Sequence, residues 1–220
     1  MIEEELDPNR PEGRQLANEL LRDESPEGEL LRDESPEGEP LRDELLEDKL
    51  SRYVGQAAGE PVIALDEVNQ AMIRHWCEAM GDRNPIYRDE NAAISNGFPG
   101  VVAPPTMLQA WGMKGLGFVD ARTSDRGEAF DELMELLNAN GYTSVVATNC
   151  EQIYNRYLRL GERLIVHPTI KSISDRKSTA LGTGYFITTE TDYKTVDGEL
   201  VGSMVFRILK FRPQSSKQSM

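Results

Sequence analysis

Cysteine and histidine are scarce in this 220-residue chain, with two of each. Cys77 and Cys150 lack the spacing of metal ligands, and a disulfide framework normally takes more cysteines. The pair therefore reads as two buried free thiols in the reducing cytoplasm. His75 and His167 lie far apart in sequence, so no structural metal is expected. No apolar run approaches the roughly 18 residues of a membrane helix. The start, MIEEELD, is acidic where a signal peptide is basic and then apolar. Nor is any basic patch evident, which argues against nucleic acid and against insertion into or adhesion to an anionic membrane. The formal charge of −14 is unevenly spread. Residues 1–50 carry 18 acidic and 6 basic side chains, and residues 51–220 carry 20 and 18.

The first fifty residues also lack aromatics and hold a ten-residue repeat. ELLRDESPEG (19–28) recurs identically at 29–38 and degenerates to EPLRDELLED at 39–48. A proline and a glycine in each full unit limit any helix to under two turns, and ten residues is too short for the familiar solenoid repeats. Residues 1–50 therefore read as an acidic, mostly disordered leader, and deleting 1–48 is expected to leave the fold intact. The alternative is a docking tail whose Leu-Leu pairs bind a partner groove. Residues 51–213 read as one folded domain, followed by a polar tail at 214–220.

Folded character begins near Ser51. Asp66 is read as the N-cap of EVNQAMIRHWCEAM, where Val68, Met72, Trp76 and Met80 form one stripe and Gly81 supplies the stop. His75 adjoins that stripe and reads as an ordinary packed or half-exposed histidine. VVAPPTMLQAWGMKGLGF (101–118) starts extended, then places Pro105 in the first turn of a helix. Gly112, Gly115 and Gly117 follow, each costing about 1 kcal/mol in a helix interior relative to alanine, so this helix is predicted to be short. A second amphipathic helix fits 126–138, with Phe130, Leu133, Met134 and Leu137 on one face and Asn140-Gly141 closing it. From 144 the period changes to two through long runs rich in Val, Ile, Thr, Tyr and Phe, with Asp197-Gly198 as a hairpin turn. Helices first and antiparallel strands afterwards make the class α+β.

One loop stands apart. In GDRNPIYRDENAA (81–93) a carboxylate, Asp82, follows a glycine, and an Asn84-Pro85 turn comes two residues later. Tyr87 stands where a base would be convenient. The loop resembles that of the MaoC-like hydratases and dehydratases, which reads roughly G-D-x-N-P-x-H with an alanine a few residues on. Gly81, Asp82, Asn84 and Pro85 match, Ala92-Ala93 follow, and Tyr87 replaces the histidine. VAPPTML (102–108) resembles the entry to the central helix in dehydratase N-terminal domains of that family. The resemblance covers about 51–212 and implies the hot-dog fold, an antiparallel sheet wrapped around a central helix, here shortened. It is closest to the non-catalytic-type subunits that pair with a catalytic hot-dog partner in long-chain or steroid side-chain acyl-CoA metabolism. LGTGYFITTETDY (181–193) and FRILKFRP (206–213) add to it.

Hydration of a trans-2-enoyl thioester needs a base to activate water and an acid to protonate the α-carbon. It also needs donors for the oxygen that gains charge. The resemblance assigns catalytic positions to Asp82 and Tyr87, substrate contacts to Asn84, Pro105 and Thr106, and no cofactor. Asp82 can hold a water. Tyr87, with an ordinary pKa near 10, accepts a proton badly at neutral pH and retains only the roles of acid or oxyanion donor. Pro104 and Pro105 have no N–H, so Thr106 carries the first backbone donor at the helix mouth. A structural reading stands beside this one: Asp82 and Asn84 cap the Asn-Pro turn, and Tyr87 packs across a dimer seam. Three functions remain open. The chain is an acyl-CoA-binding subunit whose partner hot-dog subunit supplies the catalytic Asp/His, or a self-sufficient hydratase or thioesterase using Asp82 and Tyr87. The third is a non-enzymatic acyl or lipid binding module. The first implies a hetero-oligomer, with a homodimer as the alternative.

Overall fold

A computed structural model describes residues 39–113 and 127–213. Residues 1–38, Gly115, Gly117 and the 214–220 tail lie outside the described residues. The first described element is helix α1 (Glu39–Ser51), which corrects the expected extent of the leader. The third repeat unit has replaced Ser-Pro-Glu-Gly by Leu-Leu-Glu-Asp, so after Pro40 nothing interrupts a helix. Pro40 itself sits in the first turn, where its missing N–H costs nothing. Leu46 stands where the earlier units have proline, and both it and Leu50 are buried. They pack in one cluster with Ala58, Leu133, Leu137, Tyr142, Ile170, Tyr185 and Ile187. The folded part thus reaches back to Glu39 rather than beginning near Ser51.

Helix α2 (Gln70–Met80) starts later than expected. Its N-cap is Asn69, not Asp66, and Asn69 Oδ1 accepts the Met72 N–H at 2.9 Å. The later start leaves Val68 buried but outside the helix, and the inward face is Ile73 and Cys77, with Met72 and Trp76 half-buried beside them. Met80 is exposed. The expected stripe is therefore displaced by part of a turn. Gly81 ends α2 in the left-handed region, at φ +65°, as a C-terminal glycine should. A short 3-10 turn (Pro85–Tyr87) and helix α3 (Glu90–Ser95) follow.

The central helix, Pro105–Gly112, is wound as a 3-10 helix and buries Met107, Leu108 and Trp111. Its end lies hard against the sheet. A Cβ at Gly112 would stand 2.7 Å from Val166 Cγ2, so any larger residue there would force the Val166 side chain to shift. Helix α4 (Glu128–Ala139) follows the sequence expectation closely: Leu133 and Leu137 are fully buried, Phe130 and Met134 flank them, and Asn140 closes the last turn.

The strands are β1 (Val62–Ile63), β2 (Ser144–Tyr154), β3 (Leu164–Ile173), β4 (Lys177–Thr179), β5 (Gly182–Thr195) and β6 (Leu200–Pro213). They form an antiparallel sheet in the order β1-β3-β5-β6-β2, with β4 added on β5. This is the hot-dog arrangement with its central helix cut short, and the sheet consequently wraps two packing centres. The 3-10 helix covers one of them, with Leu164, Tyr193 and Val201 beneath it. α1 and α4 cover the other, over Ile170, Tyr185 and Ile187. The outer edge of β3 is covered by β1 and by 55–58, where Gly55 N–H donates to Ile170 O and Ala58 N–H to Pro168 O. The outer edge of β2 carries no strand among the described residues. Cys77 is buried but Cys150 is exposed on β2, which corrects the expectation of two buried thiols.

Candidate active site

The loop after α2 is built from local hydrogen bonds. Gly81 turns the chain, and Asp82 N–H donates back to Cys77 O at 2.8 Å. Asp82 Oδ1 then accepts from Asn84 N–H at 2.9 Å, and Asn84 Oδ1 accepts from Ile86 N–H at 3.3 Å. Pro85 pre-sets the backbone of the 3-10 turn, and Asp89 caps α3 by accepting from Ala92 N–H at 2.7 Å. Both polar side chains of the motif therefore hold the turn. Asp82 is half-buried and Asn84 exposed.

Tyr87 faces inward. It is 6 % exposed and packs in the same core as Cys77, Val102, Ala103, Met107 and Leu158. Its ring lies 6.4 Å from that of Tyr157, and Phe98 meets Tyr157 edge-on at 5.0 Å. Burial pushes the Tyr87 phenol up to about 12. The Tyr157 phenol beside it, to which it is hydrogen-bonded, adds to that shift, as do Asp82 and Cys77. The expected dimer-seam position of Tyr87 is thus replaced by a place in the chain's own core, because Leu158 and Tyr157 fold back over the loop.

The mouth of the central helix joins this region. Val102 N–H donates to Ile86 O, Ala103 N–H donates to Leu158 O at 2.9 Å, and Val102 bridges to Arg159. Pro104 is buried, Pro105 opens the helix, and Thr106 is exposed at its mouth. The loop bearing Asp82, Asn84 and Tyr87 and the segment bearing Pro105 and Thr106, distant in sequence, are brought together through Ile86 and Val102.

A cleft of about 420 Å³ lies between α4 and the inner face of the sheet. Phe130, Met134 and Asn138 line it from α4, and Ile187, Thr189, Phe206, Ile208 and Lys210 from β5 and β6. Phe206 also packs against the core beneath the central helix, so the cleft continues from that core. It does not take in Asp82, Asn84, Tyr87, Pro105 or Thr106. Sequence reasoning missed these lining residues. The available signal was the alternation Met204, Phe206, Ile208 along β6, which ends on a charged Lys210.

Residues 54–204 match the family model described as FAS1-like, dehydratase domain region. The chain is 46 % identical over 173 residues to a probable enoyl-CoA hydratase alpha subunit of Thermomonospora curvata, covering 79 % of this chain and 54 % of the relative. It is 42 % identical over 174 residues to the 3-oxo-4,17-pregnadiene-20-carboxyl-CoA hydratase alpha subunit of Mycobacterium tuberculosis, with coverage of 79 % and 54 %. The chain thus spans about half the length of these curated relatives. A chain in the crystal structure of the ChsH1-ChsH2 complex from Mycobacterium tuberculosis superposes with a TM-score of 0.70 at 42 % identity, over 80 % of this chain and 97 % of that one.

Proposed function

The chain belongs to the FAS1-like dehydratase domain region family, and from that premise we propose that it is the acyl-CoA-binding half of a two-part enoyl-CoA hydratase or acyl dehydratase. Its substrate carries a bulky or long acyl group, such as a degraded steroid side chain. Tyr87 carries the reading. A phenol buried against Tyr157 and pushed up to about 12 neither takes a proton from water nor exchanges one near neutral pH. Asp82 and Asn84 remain as the frame of a loop whose proton-exchanging member is gone. A second hot-dog subunit with an intact Asp/His loop supplies the acid–base chemistry. This chain contributes the Thr106 N–H at the helix mouth toward the thioester oxygen, and the cleft between α4 and the sheet for the acyl group. The relatives named as alpha subunits and the similarity to a two-component complex support the pairing.

The partner docks along β2. That strand is eleven residues long, and Val145, Val146, Ile153 and Tyr154 are exposed on it. Its outer edge holds backbone groups that a second strand satisfies. Two copies of this chain pairing the same way make the homodimer alternative. No helix among the described residues is long and apolar enough to cross a membrane. A CoA-ester substrate and two free cysteines suit the cytoplasm.

Purified alone, the chain is expected to hydrate no trans-2-enoyl-CoA, and adding a hot-dog subunit with an intact Asp/His loop restores hydration. In that assembly Asp82→Ala and Tyr87→Phe reduce the rate only modestly. A loss near a thousandfold on Asp82→Ala, with assembly intact, is on the order expected for removing a working acid–base group. That result makes Asp82 catalytic and overturns the proposal.

A further inference from the structure

We propose that Lys210 recognises an oxygen acceptor, keto or hydroxyl, at the end of the acyl group remote from the thioester. The inference rests on the acyl-CoA reading above. Lys210 is 5 % exposed on the inner face of β6, opposite Tyr185 on β5, and its Nζ donates to Thr143 O at 3.0 Å. It lines the cleft, whose walls are otherwise largely apolar: Phe130, Met134, Ile187, Phe206 and Ile208. Burying an ammonium is costly even when it is paired, and the alternation along β6 would be continued more stably by another apolar side chain. A charge kept there has a use at the cleft. Its field acts on whatever enters, whichever other groups Nζ also bonds. A purely apolar acyl end is penalised because it strips the ammonium of water. An oxygen acceptor offsets that loss by a charge-assisted hydrogen bond. Asn138 stands on the α4 wall of the same cleft and adds an amide.

The distances suit such an acyl group. Phe206 lies at the core under the central helix, and Lys210 is four residues further along the strand, about 14 Å at the rise of an antiparallel strand. An acyl group lying along the sheet from Phe206 meets Lys210 at its far end. A rigid polycyclic acyl group with one polar atom at the last ring matches that span.

The test uses the full chain with its hydratase partner and two probes: the CoA thioester of a 3-oxo steroid carboxylic acid and its 3-deoxy counterpart. Titration calorimetry is expected to show the keto ester binding about 10- to 100-fold more tightly to the unmodified chain, the range of a hydrogen bond to a charged group. Lys210→Met is expected to abolish that preference, in part by tightening the binding of the deoxy ester, which no longer strips an ammonium of water. Lys210→Gln, which keeps a polar head without the charge, serves the same purpose should the methionine variant not fold, and it too should lose most of the preference. Equal binding of the two esters by the unmodified chain overturns the role of Lys210, as does a preference that survives in either folded variant. Failure of both esters to bind at all overturns the acyl-CoA reading itself.

Discussion

Tyr87 shows how one side chain changes what a loop can do. The Asp82 and Asn84 caps depend only on neighbouring backbone N–H groups and do not involve the Tyr87 side chain. Tyr87 is a buried aromatic that the core uses, and its phenol does not exchange protons near neutral pH. A pH prediction follows from the same burial. The Tyr87 phenol is pushed from its ordinary 10.0 up to about 12 in the folded chain, and Tyr193 likewise. For a group raised on folding, the stability is fully present below the unfolded value and is lost as pH rises through the folded value. The urea midpoint should therefore fall between pH 10 and 12, with the slope reduced in Tyr87→Phe relative to the unmodified chain. Lysine titration in that range is common to both proteins, so the difference between them isolates the phenol. Identical slopes would show that Tyr87 ionises as freely in the folded chain as in the unfolded one.

Helix α1 is the element whose role the repeats concealed. Two leucines and no aromatic make a weak case for burial in sequence, yet Leu46 and Leu50 meet Tyr185, Ile187 and two leucines of α4. Deleting such a buried side chain costs about 2–5 kcal/mol. In a domain of this size that lowers Tm by something on the order of 5–15 °C. Leu46→Ala and Leu50→Ala should each do so in a thermal melt, whereas Leu45→Ala, at a position 62 % exposed, should leave Tm nearly unchanged. A chain starting at Arg52 should melt well below one starting at Glu39. Equal melting of the two would show that α1 adds nothing to the core.

For the whole molecule the deciding feature is the asymmetry of the sheet edges. β1 and the 55–58 segment cover β3 on one side, while β2 lies at the other end of the sheet with apolar side chains exposed. A lysine on such an edge is the ordinary device against strand pairing. Ile153 is 62 % exposed, so Ile153→Lys should leave the melt of the isolated chain unaltered yet weaken association with the proposed hydratase partner. Light scattering of mixed subunits after size exclusion checks this. An undiminished complex would place the partner on another face.

What the sequence by itself determined is what short-range physics decides. The Gly81 stop, the Asn84-Pro85 turn, α4 with its apolar face, the period-two strands and the loss of the loop histidine all depend on residues within a few positions of one another. Even there a nearer competitor wins, since Asn69 rather than Asp66 caps α2, and Met80 faces solvent. Tertiary structure alone decided where side chains of different segments meet. Tyr87 is buried because Tyr157, seventy residues on, folds over it, and α1 is held because strands more than a hundred residues later offer it an apolar face. Lys210 lines the cleft because β5–β6 register and the position of α4 set which face of β6 is enclosed. Hydrogen bonding and backbone propensity act along the chain and can be read there. Burial is a property of surfaces that the chain brings together only by folding.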